Sequence, residues 1–218
     1  MKYGQIARST SINAAIYRCF EYISEEDAKA FVKKFGEQPH DQDQVMHTFR
    51  ELILGAFLGS KSVAVRYDQS LGGKTPDWSI LDENRTLRCI VELVNFHTDR
   101  ATEDEIKRHR QARGIWCGWT GSHTNRLYDR LWEKASKYTQ LVEQLGVAYV
   151  IALFGEFTAN IDLAEVQDCL SDTEKGLFSL YPAVSGLLFF EESSGQYSFS
   201  YIRNPDGVRK IALPCGLF

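Results

Sequence analysis

Residues 75–96 read TPDWSILDENRTLRCIVELVNF, and the fold turns on them. Trp78–Leu81 and Leu87–Phe96 are runs of aromatic, aliphatic and β-branched residues, and the polar link Asp82-Glu83-Asn84-Arg85 has the length and composition of a hairpin connection. With the turn centred between Glu83 and Asn84, Asp77 opposes Ile90. Glu92 then stands diagonally from Asp77 on the same face, roughly 7–8 Å away at Cα. Glu92 is the anomaly, because a carboxylate in Cys89-Ile90-Val91-Glu92-Leu93-Val94 interrupts an apolar strand. An unpaired buried charge is costly, so Glu92 calls for a cation. That cation is either a divalent metal shared with Asp77 or a basic side chain that pairs for structural reasons.

Around this hairpin the chain alternates helical and extended patterns. Ser24-Glu25-Glu26-Asp27 followed by Ala28, Phe31 and Val32 predicts an N-capped helix ending at Gly36. From Asp43 to Leu58, the residues Val45, Met46, Phe49, Leu52, Ile53, Ala56 and Phe57 share one helical face, and Gly59 stops the pattern. Ser62–Tyr67 predicts a short strand before the hairpin. Thr102-Glu103-Asp104-Glu105 opens a helix running to about Arg113. The loop GIWCGWTGSH leads to the longest helix, Thr124 to Leu145. Ala148–Phe154 is continuously apolar, as a strand buried on both faces is. Leu163–Leu170 predicts a short helix, and Gly186–Glu191 with Tyr197–Arg203 a terminal hairpin around Ser-Ser-Gly. Together these predict a mixed α/β protein. Without repeats, low-complexity tracts or a Pro/Ser-rich linker, residues 1–218 read as a single domain, with its core at about 43–154 and a C-terminal helix and hairpin at 160–218.

Composition narrows the class. The 218 residues are 44% hydrophobic, 25% charged and 12% aromatic, and a chain of this length buries about 70% of its unfolded surface. Disorder and a staple-dependent miniature scaffold are excluded. The longest apolar run, Val147–Phe154, is far short of the roughly 20 residues a spanning helix needs, so no membrane association is expected. The first residues lack the continuous apolar segment of a signal peptide. The five cysteines (Cys19, Cys89, Cys117, Cys169, Cys215) are scattered, with no C-x-x-C pair. Both features predict a cytoplasmic chain with reduced thiols and no structural zinc.

The net charge of −4 hides a gradient. Residues 100–140 carry nine Lys/Arg against five acids, a local +4, while the rest of the chain carries 16 against 24. An anionic partner would be steered to the middle of the chain, although a solvated pair of mixed-charge helices has the same composition. Within the long helix, Leu127, Leu131, Ala135, Tyr138, Leu141, Val142 and Leu145 form one arc, and at about 100° per residue Lys134 falls inside it. A lysine aimed at the core needs a carboxylate or a job, unless it snorkels past the sheet end.

These residues resemble the PD-(D/E)XK nuclease superfamily. Pro76-Asp77, a gap of 14 residues and Glu92 on a central strand, preceded by one helix and followed by others, match the order of its motif. The resemblance covers about Asp43 to Phe154. It implies a restriction-endonuclease-like three-layer core, a mixed β-sheet flanked by helices, in which Asp77 and Glu92 hold Mg²⁺ or Mn²⁺ with the Leu93 carbonyl as a further ligand. The residue two after Glu92 should be Lys and is Val94. Some branches carry that lysine on the helix after the third strand, which fits Lys134. Glu51, in Phe49-Arg50-Glu51-Leu52, matches an acid such cores often add to the metal, although it lies off the apolar arc as a solvated Glu would.

The resemblance implies a Mg²⁺-dependent nuclease, with DNA ahead of RNA as substrate. Asp77, Glu92 and Lys134 would be catalytic, with Lys107, Arg108, Arg110, Arg113, Arg126, Arg130 and Lys137 facing the phosphates. Two alternatives stand beside it: an inactive nuclease-fold protein that binds nucleic acid or a protein partner, and a protein with an internal Glu92–Lys134 ion pair and no nucleic-acid role. The reading admits a homodimer. Trp116, Trp119 and Tyr128 beside Arg113 and Arg126 could stack on bases or simply pack. Cys117 with His123 lacks a third residue for nucleophilic catalysis. No HExxH is formed by the five histidines, and Gly72-Gly73-Lys74 reads as a turn.

Overall fold

A computed structural model describes residues 10–37, 42–61, 63–98, 100–112, 124–156, 159, 161–172 and 175–211. The chain is mixed α/β, with a six-stranded mixed sheet flanked by helices. In order, the elements are α1 (Thr10–Phe20), α2 (Glu25–Glu37), α3 (Gln42–Ser60), β1 (Ala64–Tyr67), β2 (Trp78–Leu81) and β3 (Leu87–Phe96). Next come α4 (Arg100–Gln111), α5 (Thr124–Leu145), β4 (Ala148–Gly155), α6 (Leu163–Ser171), α7 (Leu177–Leu180), β5 (Gly186–Ser193) and β6 (Gln196–Arg203). The strands lie in sequence order, β1 to β6. Two compact units divide the chain: Met1–Leu93 with Leu141–Val150 and Lys210–Phe218, and Val94–Gln140 with Ile151–Arg209. No helix among the described residues is long and apolar enough to cross a membrane.

In the first unit, α2 begins as its sequence dictates. Ser24 Oγ accepts the Asp27 N–H at 3.1 Å, a side-chain cap that satisfies one of the orphan donors of the first turn. Asp27 is itself buried and accepts the N–H of Tyr67 at 3.2 Å, which ties the helix to strand β1. Four residues on, Phe31 stacks on the Tyr67 ring at 4.0 Å between centroids. Phe35 is buried and Val32 exposed, so the inward stripe of α2 is Asp27, Phe31, Lys34 and Phe35.

Helix α3 is covered over most of its circumference. Besides the expected Val45, Phe49, Leu52, Ile53 and Ala56, the buried residues include Thr48, Arg50, Glu51, Leu54 and Leu58. An apolar arc drawn from one face therefore underestimates how much of this helix is inside. Gly55 explains how close the sheet comes. A Cβ there would lie 1.8 Å from Trp78 Cζ2, so the indole packs directly on helix backbone. Trp78 Nε1 donates to the Glu51 carbonyl at 2.8 Å, giving the buried ring its partner.

The β2–β3 register differs from the sequence expectation by two residues. The chain does turn at Glu83-Asn84, with Arg85 N–H donating to the Asp82 carbonyl at 2.9 Å. Arg85 then adopts φ 59°, and Asp82 N–H donates to Thr86 rather than to Arg85. A turn followed by a left-handed residue inserts one residue into the ladder. A second irregularity between Ile80 and Leu81 inserts another, so Trp78 pairs with Val91 and Ser79 with Ile90. Two single-residue slips leave the face of every side chain unchanged.

Helix α1 carries Ile16 and Cys19 into the core and was not evident from its sequence, because two buried side chains make too weak a stripe. In the second unit, α6 starts with a reciprocal Asp162–Glu165 capping box. The β5–β6 hairpin turns through Ser194 (φ 55°) and Gly195 (φ 80°), the paired left-handed residues of a two-residue hairpin loop. Strand β4 is buried along its whole length.

Gly55→Ala drives a methyl into the Trp78 ring, and overpacking of this kind costs about 1–3 kcal/mol. Urea unfolding followed by tryptophan fluorescence should show that loss. A midpoint equal to wild type would show that the α3–β2 contact is loose.

Candidate functional site

All residues of the candidate site belong to the first unit. Tyr67 ends β1 opposite Trp78 at the start of β2, and Trp78 in turn faces Val91 on β3. The next step along this ladder places Asp68, Asp77 and Glu92 in line on three successive strands. Two contacts hold the line: Asp68 N–H donates to the Asp77 carbonyl at 3.2 Å, and Leu93 N–H donates to Asp77 Oδ2 at 2.6 Å. Continued one residue beyond β2, that register sets Asp77 opposite Glu92 rather than on the diagonal expected from sequence. Cross-strand partners of this kind lie about 4.5–5.5 Å apart.

The three acids differ in surroundings. Glu92 is 2% exposed, Asp77 is half-buried, and Asp68 lies at the solvent edge. Desolvation of its carboxyl, together with the charges of Glu51 and Glu92, raises the pKa of Asp68, and Lys34 opposes them. Asp68 sits in the left-handed region at φ 48°, a conformation that Asp tolerates better than most residues.

A second cluster adjoins the row. Glu51, 1% exposed, accepts from Lys34 Nζ at 2.9 Å on Oε2 and lies 3.0 Å from His47 Nε2 on Oε1. The Tyr67 hydroxyl also donates to Glu51 Oε2, and Lys34 Nζ donates to that hydroxyl. Burial alone would raise the Glu51 pKa, but hydrogen bonding and charge from His47 and Lys34 reverse it, leaving the group below its ordinary 4.5. Burial and the neighbouring carboxylates of Glu51, Asp68 and Asp77 drive the Tyr67 phenol far upward, so it stays a protonated donor. The solvated Glu51 expected from its helical wheel is thus a buried ion-pair partner, because α2 and β1 bring donors to the side of α3 away from the apolar arc.

Sequence reasoning missed Lys34, His47, Tyr67 and Asp68. A signal existed for two of them: Lys34 is three residues from Phe31 and seven from Asp27, and His47 is one helical turn before Glu51.

The remaining candidates lie in the second unit. Lys134 is half-buried on α5. Arg126 lies 4.6 Å over the Phe96 ring and donates to the His97 carbonyl. Arg130 is exposed and pairs with Glu133 at 3.5 Å, Lys137 lies over the Tyr138 ring, and Arg108 is exposed on α4. The side chains of Lys107 and Arg110 lie outside the described residues, as do Arg113, Trp116, Cys117, Trp119 and His123. Cys19, Cys89 and Cys169 are buried free thiols, and desolvation pushes Cys19 and Cys169 up to about 11, which keeps both protonated and poorly nucleophilic.

No protein-family model, curated protein or solved structure matches the chain. The chemistry must therefore be argued from the residues themselves. Among the described residues no group of three or more His, Cys, Asp or Glu is gathered tightly enough to cage a metal. The donor set nevertheless fits a hard cation. Asp77 and Glu92 are oxygen donors on one face, and Mg²⁺ binds through one or two carboxylates while retaining several waters. Glu51 is engaged by Lys34 and Tyr67 on Oε2 and lies beside His47 on Oε1.

A carboxylate whose folded pKa is depressed stabilises the fold above its unfolded pKa, and that contribution disappears as pH falls through the folded value. Wild type should therefore lose stability below about pH 4.5 more steeply than Glu51→Gln, read as urea midpoint against pH. Parallel curves would show that Glu51 is not ionised in the fold. Lys34→Gln, which strips a buried carboxylate of a cation, should cost about 3 kcal/mol.

Proposed function

We propose that the protein is a Mg²⁺- or Mn²⁺-dependent nuclease, with duplex DNA the first substrate to test ahead of RNA. The observation that carries this reading is the Leu93 N–H on Asp77 Oδ2, which fastens Asp77, one residue before β2, beside Glu92 on β3. Two carboxylates so placed repel each other unless a cation lies between them. Asp77 and Glu92 would hold the ion, with the Leu93 carbonyl as a further ligand by resemblance. When bound, Mg²⁺ polarises the scissile phosphate and offsets the charge that develops on it.

The residues of the chain supply binding, orientation and proton handling. Hydrolysis forms a bond from water oxygen to phosphorus and breaks the bond to the leaving sugar oxygen; the water gives up a proton and the leaving oxygen gains one. Lys134 would orient the attacking water and donate to the phosphoryl oxygens. Exposed Arg108, Arg130 and Lys137, with Lys107, Arg110 and Arg113 nearby in sequence, would contact backbone phosphates. Arg126 would support that surface from its place on Phe96.

A second reading is favoured by one residue. Val94 is 4% exposed where the resemblance expects a catalytic lysine, which supports a nuclease-like protein that binds nucleic acid without cutting it.

Asp77→Asn and Glu92→Gln should each lower Mg²⁺-dependent cleavage by about 10²–10³, the typical cost of losing one charge-stabilising group. Mg²⁺ should raise the melting temperature of wild type and much less that of Glu92→Gln. Binding without cleavage in Mg²⁺ and in Mn²⁺ selects the second reading, and wild type that neither binds nor cuts rejects both.

A further inference from the structure

Two polar atoms and one aromatic ring fix the end of Lys34. Its ammonium donates to Glu51 Oε2 at 2.9 Å and to the Tyr67 hydroxyl, and lies 5.1 Å from the centroid of the Tyr67 ring. The Tyr67 ring is clamped by Phe31 at 4.0 Å on one side and meets Trp78 at 5.2 Å. Lys34 is therefore held by a rigid aromatic post rather than by a flexible surface contact. An ammonium has three donors, and Glu51 and Tyr67 use two. Its side chain keeps 27% of its surface open.

The surroundings give the third donor something to do. Glu51, Asp68, Asp77 and Glu92 crowd one end of the sheet, and Asp68 adjoins Tyr67 directly. An anionic substrate brought to this end meets repulsion from all four. A divalent ion answers part of that repulsion, and a fixed ammonium answers more at no reorganisation cost.

We propose that Lys34, positioned by Glu51 and Tyr67, is a substrate-contacting residue whose third N–H binds a phosphate oxygen of the nucleic acid. This rests on the nuclease reading above and adds an amine from α2 beside the acids Asp77 and Glu92. Glu51 and Tyr67 are positioning residues, acting through Lys34.

The test uses the full chain. Lys34→Gln alone leaves a buried carboxylate and can unfold the protein, so it is made together with Glu51→Gln, removing both charges of the pair. The double variant should melt near wild type yet cut duplex DNA in Mg²⁺ about 10²–10³ more slowly, with Lys34→Arg retaining more activity than the double variant. In EDTA, the slope of log Kd against log salt for duplex DNA should fall by about 0.9, one phosphate contact. A folded double variant that cuts and binds like wild type overturns the inference and leaves the nuclease reading intact. Wild type with no cleavage and no DNA binding overturns both.

Discussion

The carboxylate of Glu51 is the constraint around which the first unit is arranged. Left alone at 1% exposure it would be protonated or would destabilise the fold. It stays charged because three elements deliver donors to it: Lys34 from α2, His47 from its own helix one turn earlier, and Tyr67 from β1. The same residue fixes the sheet through its backbone, where its carbonyl accepts the Trp78 indole N–H. Side chain and main chain of one residue thus reach both α2 and β2. A side chain at Gly55 would displace the ring that β2 packs against it.

From that anchor the acidic row follows by simple pairing. Once Tyr67 and Trp78 are locked opposite each other, the ladder has no freedom to place Asp68 anywhere but beside Asp77. Once Trp78 faces Val91, Asp77 meets Glu92. The row is thus a by-product of aromatic packing two residues wide. Each carboxylate added to the row raises the electrostatic cost of the folded chain, because like charges brought together disfavour ionisation.

Much of this was legible in the sequence, and the failures have physical causes. The limits of β2, β3 and α5 could be read from apolar runs closed by polar or glycine residues, because a strand buried on both faces and a long amphipathic helix leave strong patterns. The shared face of Asp77 and Glu92 was also legible, since the side-chain period of a strand is two and the two slips of the hairpin cancel in parity. The register itself was not. Nothing about Arg85 marks it as a left-handed residue in place of the usual glycine, and the irregularity at Ile80/Leu81 arises from the sheet, not from local sequence. Glu51 was misjudged because a helical wheel measures one face, whereas α3 is enclosed on several. Lys134 stands out in the sequence because it interrupts the apolar arc of a long helix; Lys34 sits on a short helix whose inward stripe mixes Asp27 with aromatics.

The position of the amine has a structural rationale. A lysine at residue 94 would lie two residues along β3 from Glu92 and would project on the same side of the strand. In this chain that slot is filled by an apolar side chain at 4% exposure, and an ammonium there would have to be desolvated together with its neighbours. Placing the amine on a helix avoids that cost. A helix carries its side chains in from outside the sheet, so the aliphatic stem of the lysine can pack on an aromatic ring while its ammonium stays near solvent. Lys34 brings its ammonium in this way to the Tyr67 ring and to Glu51, with its side chain 27% exposed. With valine at residue 94, α2, tied to β1 through Asp27 and Phe31, carries the cation of Lys34 to this end of the sheet.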